Sequence, residues 1–379
     1  MSNTRQSVNI RARFLELFAD AGFRNSPGLS LVQPSIKTSF LFSVGFVDVL
    51  AAIAGKATEL DGAATVQRCF RHFDVERVGD DRHLSFFEMA GALRCSGWTV
   101  EDLAIPLVKY LLESCQLPME RLHATFFNGD DVWGNFLEPD HQARNAYVTA
   151  GIRENQIWPG DNSTNIWFEG ANSGTERSGI CGPHSEIFFD MDPGKDGTPG
   201  ANPLTHPERF LEVSNIVTIT HQAHTGPSGD IVPLPQPLVE LAMGMERVEM
   251  AMAGLFDVHQ SPKLHAIGQT VREACNSLPE EENNKALRIA VDHVRAITNL
   301  MADGGRPGPK GQGHVVRRLF RGLLEASDSL KLNICQSFPQ LSQTVALVDA
   351  SINPNLEPQM DTINEIFIGE ARRMLAQSK

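Results

Sequence analysis

"QRCFRHFDVERVGDDRHLSFFEM", residues 67–89, decides how the rest of the chain is read. Two strand-like runs, residues 64–70 and 84–89, flank a charged turn that has no glycine-rich cradle. The stretch carries four arginines and two histidines. A hairpin of this kind aims cations off its rim, with Phe86, Phe87 and Glu88 behind them. Arginine grips a carboxylate or phosphate through two parallel hydrogen bonds, which lysine cannot do. A flat ring nearby can stack on a purine. A solvated charged turn has the same composition, so the neighbouring segments must decide between the two.

The chain has 379 residues, 41% of them hydrophobic, enough for a large core and for two or three domains. Its net charge of −13 excludes a generic nucleic-acid coat, and any nucleic-acid contact must come from a local basic patch. Cys69, Cys95, Cys115, Cys181, Cys275 and Cys335 form no CxxC pair, which points to a reducing, cytoplasmic compartment. The first residues hold no continuous apolar run, so no signal peptide is expected. No stretch approaches the roughly 20 apolar residues of a membrane span. Neither an internal repeat nor a low-complexity tail is visible.

Upstream of the hairpin, residues 7–21 read as an amphipathic helix with Ile10, Phe14, Leu15 and Phe18 on one face and Gly22 as its stop. "SLVQPS" (30–35) turns into an apolar stretch at 39–55. Downstream, a helix is expected near 100–113, with Pro106 near its start, where the missing N–H is tolerated. Residues 123–127 read as a strand and 128–160 as mixed helix and loop. Strands follow at 186–191 and 210–220, separated by a Gly/Pro-rich loop at 192–207. The turn "HTGPSGD" (224–230) precedes a segment that becomes helical from about Gly244. Strands joined by hairpins and long loops favour an antiparallel sheet over βαβ units. From about Asp257 the pattern is helical, with Leu287, Ala290, Val291, Val294, Ile297 and Met301 on one face. The expected class is α+β, with residues 1–256 as one domain and 257–379 as a helical second.

"MGMERVEM" (243–250) opens a helix at a glycine-containing turn and carries Glu246 and Arg247. Such a helix can present its N-terminus and a guanidinium to a nucleotide, or it can be an ordinary helix with a Glu–Arg pair. Taken together, the segments resemble the catalytic domain of alanyl-tRNA synthetase, a class II aminoacyl-tRNA synthetase. The resemblance runs from Ile10 to Arg321. It is carried by "QRCFR" with "SFFEM" (the family's motif 2), "CGPHSEIFFD" (181–190), "FLEVSNIV" (210–217), "PLPQPLVELAMGMER" (233–247, motif 3) and the run from "ALRIAVDHVRA" to "GHVVRRLFR" (286–321).

The resemblance implies a class II antiparallel sheet with flanking helices, followed by a helical domain that recognises a tRNA acceptor stem. Arg71 would hold the α-phosphate of ATP and the activated carboxylate. Arg247 would stack on adenine and reach the γ-phosphate, and Phe86 would cover the other face of the purine. Glu88 and Gly244 complete the implied nucleotide site, and magnesium would bridge the phosphates. Trp167, Asn215, Glu240 and Ala242 would line the amino-acid pocket. Lys310, Arg317, Arg318 and Arg321 would track the RNA backbone through phosphate contacts. Aminoacyl activation forces two anions together, so fixed cations are its main catalytic device.

Several positions depart from the family pattern. The motif 2 turn "HFDVERVGDD" (72–81) is short and acidic, lacks the family's lysine and has Arg77 as the cation at its tip. The next strand reads "GALRCSGWT" (91–99). Val239, Glu240, Leu241 and Ala242 stand where the family has Val-Asp-Thr-Gly, and Ser214 replaces a tryptophan before Asn215. Shape decides apolar side-chain selection, so the expected amino acid is larger than alanine and aliphatic. Pro309, in "ADGGRPGPKGQGH" (302–314), stands where the family reads its tRNA with an asparagine, and proline has no side-chain donor. "ANSGTERSG" (171–179) reads as an insertion. His184 replaces a cysteine, but Cys181 and His184 alone are too few ligands for zinc, so no metal site is expected. Residues 322–379 read as helices that finish the domain, with no editing or C-terminal domain expected.

Three functions remain open at this stage. The favoured one passes an aminoacyl group from a charged tRNA to a small-molecule amine or amide in specialised, natural-product metabolism, without ATP. The second makes an aminoacyl adenylate from ATP with magnesium and aminoacylates tRNA or another acceptor. The third is a non-catalytic tRNA-binding regulator. His83, read as lying on the strand beside Phe86, is the candidate general base, although a packed histidine fits the same position.

Overall fold

Three of the middle strands hold no exposed residue, which marks a sheet covered on both faces. The structure, a computed structural model, describes residues 9–33, 36, 40–44, 62–95, 97, 99–168, 179–194, 200–223, 231–275 and 284–377. Most of the expected insertion at 171–179, most of the apolar stretch at 39–55 and the turn at 224–230 lie outside those residues, as does part of the loop at 192–207.

In chain order the strands are β1 (Arg24–Asn25), β2 (Ala63–Phe70), β3 (Phe86–Arg94), β4 (Leu122–Phe127), β5 (Asp130–Val132), β6 (Asn135–Leu137), β7 (Ile157–Gly160), β8 (Ile166–Phe168), β9 (Gly179–Asp190), β10 (Phe210–Ala223) and β11 (Ile231–Gly244). The main sheet runs β1-β2-β3-β11-β10-β9-β4-β7, with β8 also on β9. β3, β11, β10, β9 and β4 pair antiparallel in sequence, and β1–β2 and β4–β7 pair parallel. This is the α+β architecture with a mainly antiparallel sheet that the strand spacing predicts. β5 and β6 form a separate hairpin.

The helices are α1 (Ile10–Asp20), α2 (Val100–Lys109), α3 (His141–Thr149), α4 (Met245–Ala253), α5 (Pro262–Ala274), α6 (Asn284–Ala302), α7 (Gly311–Ser329), α8 (Ile334–Val348) and α9 (Leu356–Gln377). α1 begins where Asn9 accepts from the Ala12 amide at 3.2 Å. Its apolar face stacks Phe14 on Phe18 and sets Phe14 edge-on to Tyr110, whose hydroxyl donates to the Ile10 carbonyl. Pro106 lies inside α2 rather than at its start. It cannot donate to the preceding turn, and the helix passes directly into a π-helical turn at Tyr110–Ser114.

The chain forms two compact units: Met1–Gly28, Val44–Gln67 and Met89–Gly254 make the first, and Leu29–Ser43, Arg68–Glu88 and Leu255–Lys379 the second. The central sheet forms the first. The second is helical and also contains the turn between β2 and β3. In α6 the predicted face is buried throughout, from Leu287 to Met301. Within this unit Phe338 stacks on Phe367, and Phe320 lies tilted against Phe367.

Candidate functional site

Within the first unit, the register of three strands gathers polar side chains on one sheet face. Asn215 stands opposite Ala242 on β11 and opposite Glu186 on β9, while Val217 stands opposite Glu240 and His184. Cross-strand partners, and residues two apart on one strand, share a face. Glu186, His184, Asn215, Glu240 and Ala242 are thereby neighbours. Trp167, on β8, packs against the apolar cluster of Leu93, Val217, Ile219 and Leu238 that floors this region.

Hydrogen bonds then order the face. The Arg247 guanidinium donates to the Glu212 carboxylate at 2.8 Å and to the Glu212 carbonyl at 3.2 Å. Asn215 donates to the other Glu212 oxygen at 3.4 Å. Glu186 accepts from the Thr125 hydroxyl at 3.3 Å and lies 3.5 Å from His184 Nε2. Asn165 ties Thr125 to the His184 carbonyl, and His184 Nδ1 is buried without a protein partner. Burial pushes the Glu186 carboxyl above its usual range, and the negative charge of Glu212 pushes it further. Gly244 is the N-cap of α4, and Glu240 and Ala242 are buried.

The expected residues of motif 2 lie in the second unit. Arg71 Nε donates to the Phe42 carbonyl, and the guanidinium carbon sits 5.3 Å from the Phe87 ring centre and 5.9 Å from that of Phe73. Among the described residues Arg71 has no carboxylate partner, so its remaining donors fit a phosphate or carboxylate. Phe86 was expected to offer a face to a purine. Its ring is only 1% exposed, with the Arg295 guanidinium 4.9 Å from its centre. The half-buried ring beside Arg71 is Phe87, because consecutive strand residues face opposite ways. Glu88 is buried and pairs with Lys263 at 3.2 Å. His83 precedes the strand rather than lying on it, and Asp80 holds its Nδ1 at 2.5 Å.

The basic positions of α7 have unequal freedom. Arg317 pairs with Glu370 at 2.9 Å, and Arg318 donates to the His72 carbonyl. Lys310 and Arg321 are exposed. The loop before α7 is tied down at Asp303, which accepts from the Leu31 amide, Ser30 and Arg68. The structure thus gathers Trp167, Asn215, Glu240, Ala242, Gly244 and Arg247 in one unit. Arg71, His83, Phe86, Glu88, Lys310, Arg317, Arg318 and Arg321 lie in the other.

The sequence matches the family described as tRNA synthetases class II (A) over residues 9–376. The chain belongs to that family. As a class II tRNA synthetase relative it is 32% identical to an alanine–tRNA ligase of Rubrobacter xylanophilus, over 98% of this chain and 42% of that protein. It is 29% identical to that of Endomicrobium trichonymphae, over 97% of this chain and 40% of that protein. The chain spans about two-fifths of the length of these relatives. A more remote resemblance joins it to the apo S. aureus histidyl-tRNA synthetase, with a TM-score of 0.35 and 10% identity over 67% of this chain and 70% of that one.

ATP and magnesium are the cofactors the class II resemblance implies. Arg71 fits a phosphate. Glu212 already occupies Arg247, and Glu186 and Glu240 add two more carboxylates. Among the described residues, no group of three or more His, Cys, Asp or Glu side chains is arranged to hold a metal ion. Cys181 is buried on β9, and burial pushes its thiol up to about 11. Glu186 and Glu212 were missed in the sequence. Their motifs "HSEIFFD" and "FLEVSN" were visible, but only the β9–β10 register brings them beside Asn215.

Proposed function

We propose that this chain is an aminoacyl-tRNA-ligase-like enzyme that passes an aminoacyl group from a charged tRNA to a small-molecule amine or amide, in specialised metabolism and without ATP. The observation that supports this reading is the acidic sheet face. Glu186 and Glu240, on the face they share with Asn215, suit an amine or an aminoacyl ammonium. An aminoacyl ester is already activated, so the enzyme has mainly to position two reactants and steady an oxyanion. The acceptor nitrogen attacks the ester carbonyl, the bond to the ribose oxygen breaks, and an amide forms. Glu186 takes the proton released by the nitrogen, a role its raised pKa suits. The ribose oxygen leaves with a proton returned by the same carboxyl.

In this reading residues 1–256 carry the chemistry and 257–379 read the acceptor stem, with Lys310 and Arg321 on phosphates. Arg71 holds a phosphate of the RNA end. Trp167, Asn215, Glu240 and Ala242 select an amino acid larger than alanine. Charged tRNA as donor places the reaction in the cytoplasm, and no described helix is long and apolar enough to cross a membrane.

A second reading, ATP-dependent adenylation with magnesium, is favoured by the Arg71 guanidinium, which has no carboxylate partner among the described residues. One pair of assays separates the two. Pyrophosphate exchange is run with each standard amino acid, and charged tRNAs are incubated with hydroxylamine as a model acceptor. The expected result is no amino-acid-dependent exchange, and hydroxamate formation from one aminoacyl-tRNA above the uncatalysed rate. Exchange with one amino acid and no catalysed hydroxamate would replace this reading with adenylation.

A further inference from the structure

The turn that carries Arg71 is held at its end, its tip and its start within its unit. At its end, the Ser85 amide and hydroxyl donate to Asp292 at 2.7 and 2.5 Å, and the Ser85 carbonyl accepts from the Arg71 amide at 2.8 Å. At its tip, Arg288 donates to the Gly79 carbonyl at 3.2 Å, and the Val258 amide donates to the Asp81 carbonyl at 2.8 Å. At its start, Arg318 of α7 donates to the carbonyl of His72, the residue after Arg71. Asp292 is 1% exposed and takes no part in the surface. Arg288 is committed to Asp257 at 2.7 Å as well. Arg318 differs from both.

Arg318 lies between His314 and Arg321 at the four- and three-residue spacings that place side chains along one helix face. Both neighbours are exposed, and Arg321 has no carboxylate partner among the described residues. Arg318 has no carboxylate partner there either, and its Nε is buried with nothing to donate to. Among the described residues its guanidinium donates to a neutral carbonyl, a weaker acceptor than a phosphate. Arg318 is therefore both a clamp on the Arg71 turn and the middle member of a basic stripe.

We propose that Arg318 is a positioning residue that couples RNA on α7 to the Arg71 turn: an RNA phosphate seated on the His314–Arg321 stripe competes with the His72 carbonyl for the Arg318 guanidinium. The proposal rests on the reading of α7 as RNA-facing. Phosphate binding draws the guanidinium off His72, and the start of the turn is released while Asp292 keeps its end in place. Arg71 then changes its setting only when the RNA is bound.

The test is hydrogen–deuterium exchange of peptides covering residues 68–88, with and without unfractionated tRNA, alongside tRNA affinity by filter binding. In the unaltered chain, tRNA is expected to raise exchange at residues 70–76 and leave 84–88 unchanged. Arg318→Ala is expected to exchange quickly at 70–76 with or without tRNA, with the salt dependence of binding shallower by about one phosphate contact. Arg318→Lys, which can still reach either acceptor, restores part of the tRNA response. Arg373→Ala, which removes only exposed contacts to Glu370 and Gln377, leaves it intact. Binding of tRNA with no change at 70–76 in the unaltered chain overturns the coupling alone, as does an unchanged tRNA response in Arg318→Ala. Absence of tRNA binding overturns the RNA-facing reading and the coupling with it.

Discussion

Asp349→Asn is expected to be among the most damaging single substitutions that leave side-chain volume unchanged. Asp349 is fully buried and accepts from Arg295 Nε at 2.8 Å, Arg295 Nη2 at 3.0 Å and Asn299 at 3.0 Å, with Lys263 3.5 Å away. Arg295 is equally hidden, its side chain 1% exposed. Burial alone would push the Asp349 carboxyl up; the Arg295 guanidinium overrides it and holds the carboxyl below the usual range. Asparagine removes the charge and turns an NH2 group toward the guanidinium, which leaves a buried cation uncompensated. Breaking such a pair costs about 3–5 kcal/mol, a large share of the ~5–15 kcal/mol that holds a domain folded.

Urea unfolding of Asp349→Asn, Arg295→Met and the double variant Arg295→Met/Asp349→Leu measures this directly. The double variant removes both charges and should cost less than either single change, because no buried ion is stranded. A depressed carboxyl stabilises the fold above its unfolded pKa and loses that contribution as pH falls through the folded value. The deficit of Asp349→Asn should therefore be complete at neutral pH and shrink below about pH 4. A deficit under about 1 kcal/mol at neutral pH, well short of the buried-pair range, would refute the reasoning. So would a double variant worse than both singles.

Three further outcomes are expected. Burial would raise the Asp257 carboxyl, yet His259 and Arg288 hold it at about 2. Asp257→Asn should therefore cost about 1 kcal/mol at neutral pH, after discounting for solvent screening, a deficit that shrinks from about pH 4 and vanishes only well below about pH 2 in denaturation measurements. A Cβ on Gly182 would meet the Thr218 carbonyl oxygen at 1.9 Å, so Gly182→Ala should lower stability by about 1–3 kcal/mol in thermal or urea unfolding. Under the proposed transfer reaction, Glu186 must be ionised to accept a proton and its pKa is raised. The rate should therefore rise with pH through a point above the ordinary glutamate range, and Glu186→Gln should lower it about 10²-fold or more and flatten that profile.

The motifs of the β2–β3 hairpin, the β9 and β10 strands and the α4 entry were legible because each is local. Alternation, a glycine before a helix and a run of helical spacing are written in consecutive residues. Arg71 was legible in the same way, as an arginine at the end of a strand with aromatic neighbours. Which ring stands beside it was not legible in "SFFEM", because adjacent strand residues face opposite ways. Only packing under Arg295 shows that Phe86 is covered and Phe87 is not.

By itself, the sequence determined the α+β class, most of the helices and several of the sheet's strands, the family, and the loss of the motif 2 lysine. These follow from residue types and short-range periodicity. Tertiary structure alone decided that Glu186 and Glu212 join Asn215 on one face, since cross-strand register is not encoded in either strand alone. It also decided that residues 68–88 pack with 255–379, where Asp292 and Arg318 hold the Arg71 turn. Those contacts join residues more than 200 positions apart, and no local pattern can specify a partner at that separation.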